Sequence, residues 1–382
     1  MNKNPPFHKI LIRLLSYILV AALASAATWF LASLLPNSKL ERLANAIDRK
    51  FIAGADQTQI QDAAAEAMIA ALGDRWSYYI SAEEYADHLE RQKNEYVGIG
   101  VTVLERRDGT GYDIVEVEPN GPAAEAGIQP GDIITHADGT FLGELDVTAV
   151  RNIIMGKKNT QVVLTVLRNT QTQEITVTRR VIHSKIVEGQ MLPGNIGYIR
   201  IDNFHGGAGK DTLTQIKLLT DMGAEKLIFD VRSNPGGYVH EMVEVLDYLL
   251  PEGPLFRSVD YKGKESVDKS DKNCLELPMA VLINGKTYSA AEFFAAALHE
   301  YDWAVTVGEP TTGKGYYQTT IELGDGSAVQ LSTGAYTTPN GVNLTEAGGL
   351  VPDVPVAPGE TVQSLEEDPQ IWAAIEALSQ QN

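Results

Sequence analysis

Apolar strands and helices alternate over residues 183–362, and this alternation constrains the fold more than any other feature of the chain. Lys226–Val231, with the apolar run Leu227–Phe229 at its centre, and the wholly apolar Met279–Ile283 are each followed by a turn and a helical pattern. Short apolar runs bounded by turns are typical of buried strands. We therefore predict an α/β core, in which Ser289 lies at a strand-to-helix turn.

Size and charge limit the classes of function. The chain has 382 residues, enough for two or three domains, and 44% of them are hydrophobic. Its net charge of −19 argues against a general affinity for nucleic acid or anionic lipid. Cys274 is the single cysteine, which excludes an intrachain disulfide. No pair of histidines has convincing zinc-ligand spacing, so we expect neither a metal nor another cofactor.

The N-terminal part has the features of a membrane anchor. Three basic residues, Lys3, Lys9 and Arg13, precede an uncharged stretch, Leu14–Leu35. As a helix this stretch would extend about 33 Å, enough for a bilayer core of about 30 Å. The basic flank places the N-terminus inside and predicts a single-pass protein of the cell membrane with an extracytoplasmic body. Ala24–Ala26 resembles a signal cleavage site, so secretion after cleavage is the alternative.

Four segments follow the predicted anchor of residues 1–38. Residues 39–94 have helical periodicity and predict a packing or dimerisation arm, and residues 363–382 end in a short helix. Residues 95–182 form a β-rich segment and residues 183–362 the α/β core. In the β-rich segment, Pro122–Gly127 predicts a short helix with proline first and glycine last.

The β-rich segment resembles a bacterial PDZ domain, chiefly through Gly121–Ile134, which reads Gly-Pro-Ala-Ala-x-Ala-Gly-x-x-x-Gly-Asp-x-Ile. Backbone N–H groups of four residues would bind a terminal carboxylate, and the next strand would pair with the extended peptide. These residues are Val97, Gly98, Ile99 and Gly100. A glycine bend in a small β domain is the alternative.

Ser289–Glu292 supports two interpretations. Serine at the N-cap with glutamate three residues later is a capping box, and for a serine taken alone this role is the more common one. The same position suits a nucleophile, because the N–H of Ala290 at the helix start would stabilise an oxyanion. Gly236 and Gly237, in a turn after another strand, are candidates for the second donor, although an ordinary turn explains them equally well.

Lys314 is the candidate general base. An ordinary lysine, with a pKa of about 10.4, is a poor base at neutral pH, and burial lowers that value. We therefore expect Lys314 in a dry pocket against Ser289, with its flanking glycines permitting the approach and Gln318 orienting the amine. Gly308–Lys314 also mimics a phosphate-binding loop, but Gly315 stands where serine or threonine is needed.

A histidine base is the remaining alternative for activating the serine. The candidates in the core segment are His183, His205, His240 and His299.

Together these motifs resemble the carboxyl-terminal processing, or tail-specific, protease family over residues from about 40 to 360. The resemblance includes Tyr96–Gly100, the PDZ pattern, Asp230–Gly237, the serine turn and Thr312–Gly315, in that order. It implies a multidomain α/β protein with a ClpP/crotonase-like protease core, an inserted PDZ β domain and helical terminal arms.

The resemblance also implies roles for residues. Ser289 would be the nucleophile, Lys314 the general base and Gln318 its support, with oxyanion donors at Ala290 and the glycine turn. Substrates would be proteins with exposed apolar C-termini, and the arms imply a homodimer. PDZ binding would gate cleavage, and Arg168, on the last predicted PDZ strand, is a candidate for that coupling.

The chain departs from the family pattern beside the nucleophile. Thr287 and Ala291 stand where the family usually has serine, the bulky Tyr288 precedes the nucleophile, and Thr312 replaces an aromatic residue. These changes bear on substrate preference. A PDZ-bearing protein that binds tails without cutting them is the second hypothesis.

Overall fold

The computed structural model describes residues 15–26, 28, 38–359 and 364–380. The chain divides between Tyr79 and Ile80 into two compact units. In the first unit, residues 15–26 are helical, and α1 (Lys39–Lys50) and α2 (Gln57–Ala70) confirm the helices predicted for the arm. The side chains of Ser38 and Asp56 cap these helices. Strand β1 (Tyr78–Ile80) lies at the boundary.

The predicted membrane span, Leu14–Leu35, lies partly outside the described residues, as do the basic residues before it. In the part of the chain that the structure describes, no helix is both long enough and apolar enough to cross a membrane. Membrane anchoring stays a prediction.

The second unit begins with a helix and a β-rich segment. Its elements are α3 (Ala82–Gln92), β2 (Glu95–Gly98), β3 (Val101–Glu105), β4 (Tyr112–Val117), α4 (Pro122–Glu125), β5 (Ile133–Ala137), β6 (Thr140–Phe141), α5 (Val147–Ile154), β7 (Gln161–Arg168), β8 (Gln171–Thr178) and β9 (Arg180–His183). The antiparallel sheet has the order β3-β4-β5-β7-β8, and β2 pairs separately with β9. Ile134, Val150 and Leu164 lie in its apolar core.

The placement of Arg168 corrects one expectation. Arg168 ends β7, and β8 follows it, so this residue is not on the last strand. β8 lies at the sheet edge and is mostly polar and exposed, which removes the apolar alternation that identifies a strand from sequence. Its connection to β7 is the two-residue turn Asn169–Thr170, both with positive φ, as in tight hairpins.

The remaining chain forms the predicted α/β core. Its elements are β10 (Val187–Leu192), β11 (Ile196–Ile201), α6 (Ala208–Asp221), β12 (Lys226–Asp230), α7 (Val239–Leu249), β13 (Gly253–Asp260), β14 (Glu265–Ser270), β15 (Met279–Ile283), α8 (Ala290–Glu300), β16 (Ala304–Gly308), β17 (Tyr316–Glu322), β18 (Ala328–Thr337), α9 (Leu344–Ala347), β19 (Val354–Pro355), the 3₁₀ turn Leu365–Glu367 and α10 (Pro369–Gln380). One sheet has the order β10-β11-β12-β15-β16-β19 and is parallel from β11 onward. A second, antiparallel sheet contains β13, β14, β17 and β18.

Helix α8 lies between these two sheets, because it is apolar on every side. All its residues from Ala290 to Leu298 are buried. Phe294 packs on Phe229 of the parallel sheet, and Phe293 packs on Phe256 of the antiparallel sheet, with ring centroids 5.4 Å apart in both pairs. This packing fixes the first residues of α8 at the junction of the two sheets.

Candidate active site

Ser289 lies between the turn after β15 and the first residue of α8. Its φ of 60° falls in a region where residues other than glycine are strained, by about 1–3 kcal/mol. Two hydrogen bonds hold this backbone. The N–H of Tyr288 donates to the carbonyl of Asn234 at 3.1 Å, and the N–H of Ser289 donates to the Glu292 carboxylate at 2.9 Å. The Oγ of Ser289 lies 3.0 Å from the hydroxyl oxygen of Tyr336.

Glu292 connects the serine turn with the loop that contains Lys314. The side chain is fully buried, and four donors surround its carboxylate. Oε1 accepts from the Thr311 hydroxyl and the Gly313 N–H, both at 2.6 Å. Oε2 accepts from the N–H groups of Ser289 and Lys314, both at 2.9 Å. Because the backbone nitrogens of Ser289 and Lys314 both donate to Oε2, these two nitrogens are at most twice 2.9 Å apart.

The sequence predicts only part of what Glu292 does. Its acceptance of the Ser289 N–H is the capping-box contact that the Ser289–Glu292 spacing indicates. Its bonds to Thr311, Gly313 and Lys314 join residues 19 to 22 positions away in the chain. The available signal was a carboxylate in the first turn of a helix that is otherwise apolar.

Lys314 is nearly buried, with 8% of its surface exposed. Its Nζ lies 5.8 Å from the centroid of the Tyr288 ring, within the range of a cation–π contact. The neighbouring glycines are explained by close packing. A Cβ on Gly315 would lie 2.3 Å from Oδ1 of Asn343, just before α9. The N–H of Gly315 donates to the Thr345 hydroxyl at 2.7 Å, which fixes the loop beside Lys314.

Gln318 lies in β17, beyond the loop. Its amide donates to the hydroxyl of Ser332 on β18 at 3.0 Å and to the carbonyl of Tyr316 at 3.1 Å. These contacts hold the amide against the neighbouring strand. Its support of Lys314 stays a prediction.

The glycine turn after β12 packs directly against the serine. A Cβ on Gly236 would lie 2.7 Å from the Cβ of Ser289 and 2.8 Å from the nitrogen of Ala290. The Gly236 N–H, however, donates to Oδ1 of Asn234 at 2.8 Å, so this predicted oxyanion donor is used inside its own turn. An asparagine side chain often binds the N–H two residues later. Gly237 and Ala290 remain the candidate donors.

The four candidate histidines are exposed or contact other residues. His183 and His240 expose more than 70% of their side chains, and His299 pairs with Asp353 at 3.1 Å. His205 packs against the ring of Tyr238 at a centroid distance of 6.0 Å, and burial lowers the pKa of its imidazole. The Oγ of Ser289 instead contacts the hydroxyl of Tyr336, a residue that was not predicted as part of the site.

The predicted peptide-binding residues lie around the start of β3. Val97 and Gly98 pair with β9, and Ile99 and Gly100 form the bend before β3. Strand β3 is at one edge of its sheet, as strand addition requires.

Arg168 binds within the β-rich segment. Its guanidinium contacts both carboxylate oxygens of Asp132, at 2.6 and 2.7 Å, and the carbonyl of Gly127 at 2.7 Å.

Comparison with known proteins matches two segments of the chain to family models. Residues 195–356 match the model for peptidase family S41, and residues 114–168 match a PDZ domain. The chain is similar to a solved photosystem II D1 C-terminal processing protease, with 26% identity, a TM-score of 0.50 and coverage of 86% of this chain and 95% of that one. A putative S41 protease from Bacteroides fragilis has the same fold, with a TM-score of 0.56 and 18% identity over 91% of this chain and 98% of that one.

Curated relatives include the probable CtpA-like serine proteases of Staphylococcus aureus strain COL and Staphylococcus epidermidis strain ATCC 12228. Both are 29% identical over 84% of this chain, which spans 64% and 65% of their respective lengths. The chain therefore contains a peptidase family S41 domain and a PDZ domain, and over most of its length it is similar to carboxyl-terminal processing and CtpA-like serine proteases.

Proposed function

We propose that this protein is a serine endopeptidase in which Ser289 is the nucleophile and Lys314 the general base. The observation that carries the proposal is the shared Oε2 of Glu292, which binds the backbone N–H groups of both residues. The near-complete burial of Lys314 also supports it, because a lysine acts as a base only when it is neutral and water is scarce.

The proposed reaction proceeds through an acyl-enzyme. Lys314 takes the hydroxyl proton of Ser289 as Oγ forms a bond to the peptide carbonyl carbon. The N–H of Ala290 and that of Gly237 stabilise the oxyanion. The carbon–nitrogen bond then breaks, and the proton passes from Lys314 to the leaving amine. Water, deprotonated by the same lysine, hydrolyses the ester and restores Ser289.

Substrate capture is assigned to the PDZ domain. An extended apolar C-terminus would add to the edge of β3, with its carboxylate at the backbone N–H groups of residues 97–100. Gating would use Arg168, which would exchange Asp132 for a contact outside the domain when a peptide binds. Arg168→Ala should then reduce the stimulation of cleavage by a tail peptide while leaving peptide affinity unchanged.

We propose the cell membrane as the location, with the uncharged stretch Leu14–Leu35 as a single-pass anchor and the protease outside the cytoplasm. Secretion after cleavage remains the alternative. Fractionation of cells that produce the full chain distinguishes the two, because only an anchored chain sediments with membranes and keeps its N-terminus.

The proposed homodimer is tested by sedimentation of the detergent-solubilised protein.

The test of the activity is cleavage of a protein that ends in a disordered apolar tail. The parent chain should cut it, and Ser289→Ala and Lys314→Ala should not. Lys314→Arg, which stays charged, should be inactive as well. Cleavage that survives Ser289→Ala would refute the assignment. A parent chain that binds the tail but neither cuts it nor reacts with a serine-directed probe would be a binding protein.

A further inference from the structure

Tyr336 touches both loops of the site without belonging to either. Its side-chain hydroxyl lies 3.0 Å from Ser289 Oγ. Its backbone N–H donates to the carbonyl of Gly315 at 3.1 Å, beside Lys314. The residue lies in β18, opposite Ser258 of β13, and 2% of its surface is exposed.

The ring of Tyr336 is fixed by three aromatic neighbours. Phe293 on α8 meets it edge to face at 4.5 Å, and Phe256 on β13 lies at 5.3 Å. Tyr317 on β17 stacks on it at 6.1 Å. Packing on several sides leaves the hydroxyl little freedom, so its position beside Ser289 is set by the core of the protein.

We propose that Tyr336 is a further catalytic residue, whose hydroxyl donates a hydrogen bond to Ser289 Oγ. This inference rests on the proposed function of Ser289 and Lys314. A phenol is much more acidic than an alcohol, so the tyrosine is the better donor of the pair. Its donation leaves the hydrogen of Ser289 for Lys314. Burial raises the pKa of Tyr336, which keeps the phenol protonated at neutral pH.

The effect on catalysis comes from charge on Oγ. Negative charge develops on this oxygen as Lys314 removes its proton, and again when the bond between Oγ and the acyl carbon breaks in deacylation. A hydrogen bond to a charged oxygen is about twice as strong as one to a neutral oxygen. The hydrogen bond from Tyr336 therefore stabilises the negative charge on Oγ at both stages, while the proton stays on the phenol.

The test is Tyr336→Phe, which removes one oxygen and keeps the ring, in the full chain. Tyr317→Phe is the matched control, because it removes a hydroxyl from the ring stacked on Tyr336. Two rates are measured: reaction of Ser289 with a fluorescent fluorophosphonate, located by mass spectrometry, and cleavage of the tail-bearing protein. We expect Tyr336→Phe to slow both by about 10- to 100-fold. Cleavage should lose kcat with KM unchanged, and Tyr317→Phe should match the parent.

A Tyr336→Phe protein that reacts as fast as the parent, or faster, would overturn the proposal. If the parent itself neither reacts nor cleaves, the proposed function fails instead, which is a separate outcome. Replacing Tyr336 with a ring-fluorinated tyrosine supplies a second measurement that preserves the fold. This stronger donor should keep at least the parental rate at neutral pH, and a loss like that of Tyr336→Phe would contradict the proposal.

Discussion

Asp230 and Glu292 are two fully buried carboxylates at neighbouring strands of the parallel sheet, and they have different kinds of hydrogen-bond partner. Asp230, at the end of β12, contacts the Arg232 guanidinium and the Tyr198 hydroxyl, the latter at 2.6 Å. Arg232 in turn binds Asp368 at 2.7 Å, just before α10. Glu292, after β15, binds three backbone N–H groups and one hydroxyl.

The different partners indicate different roles for the two carboxylates. The charged cluster around Asp230 ties the C-terminal helix to the sheet, and an arginine fork suits that role because it bridges two carboxylates. Backbone donors around Glu292 instead hold two loops against the same carboxylate. We infer that Glu292 positions the backbones of Ser289 and Lys314, whereas the Asp230 cluster contributes mainly stability.

The largest expected effect is on stability, from Arg232→Met. This change leaves two buried carboxylates without their cation and should lower the free energy of unfolding by about 3–5 kcal/mol. Denaturant unfolding measures the loss. Arg257→Met is the matched control, because Arg257 donates to the Pro339 carbonyl rather than to a carboxylate. Folded Arg232→Met protein should still react with the serine probe. A fall in the free energy of unfolding of less than about 1 kcal/mol would contradict the stabilising role of the Asp230 cluster.

The next effect is on activity, from Glu292→Gln. The amide has the shape of the carboxylate but turns its NH₂ group toward donors, so at least one N–H loses its partner. We expect a stability loss of about 1–3 kcal/mol and a fall in cleavage of about 100-fold, larger than the stability loss explains. Glu300→Gln, on the same helix but bound to Thr338 and Asn340, is the control. Parental activity in Glu292→Gln would show that the two loops hold their positions without it.

A smaller effect concerns backbone strain. Ser289 and Ser233 each lie in one of the two regions, and both have φ near 60°. In thermal unfolding, the glycine variant at either position should be about 1 kcal/mol more stable than the alanine variant, because glycine tolerates this conformation. Cleavage should disappear only with the changes at Ser289. Equal stability of the Ser289 variants would mean that the turn is unstrained.

The smallest effect is a pH dependence outside both clusters. Burial lowers the pKa of His205, so the unfolded chain binds this proton more readily than the folded one. Stability should therefore fall as the pH drops through about 6.5, the ordinary histidine value, and should be regained above it. His205→Gln should reduce this dependence of stability on pH, measured by unfolding experiments above and below about pH 6.5. The exposed His183 changed to Gln should leave it intact.

Local sequence patterns predicted much of the fold because the decisive strands are apolar along their whole length. Met279–Ile283 is confirmed as β15, and the short helix predicted within Pro122–Gly127 is confirmed as α4. The strand β13 was not predicted. A bulge after Pro254 places Leu255 and Phe256 both in the core, which removes the period-two alternation.

Residue spacing alone predicted contacts of the site only where they are local. Ser289 and Glu292 are three residues apart, so a capping motif indicated their contact. Tyr336 is 47 residues from Ser289, so their contact depends on tertiary packing that no local pattern indicates. The use of the Gly236 N–H by Asn234 depends on turn geometry that the motif does not specify.

The most direct test of the central claim is the rate at which an acyl group forms on Ser289. The parent, Lys314→Ala and Glu292→Gln are mixed with an activated peptide ester, quenched at set times and analysed by mass spectrometry. We expect a single adduct on Ser289 in the parent, with formation abolished by Lys314→Ala and greatly slowed by Glu292→Gln. Acylation of Lys314→Ala at the parental rate, or an adduct on another residue, would contradict it.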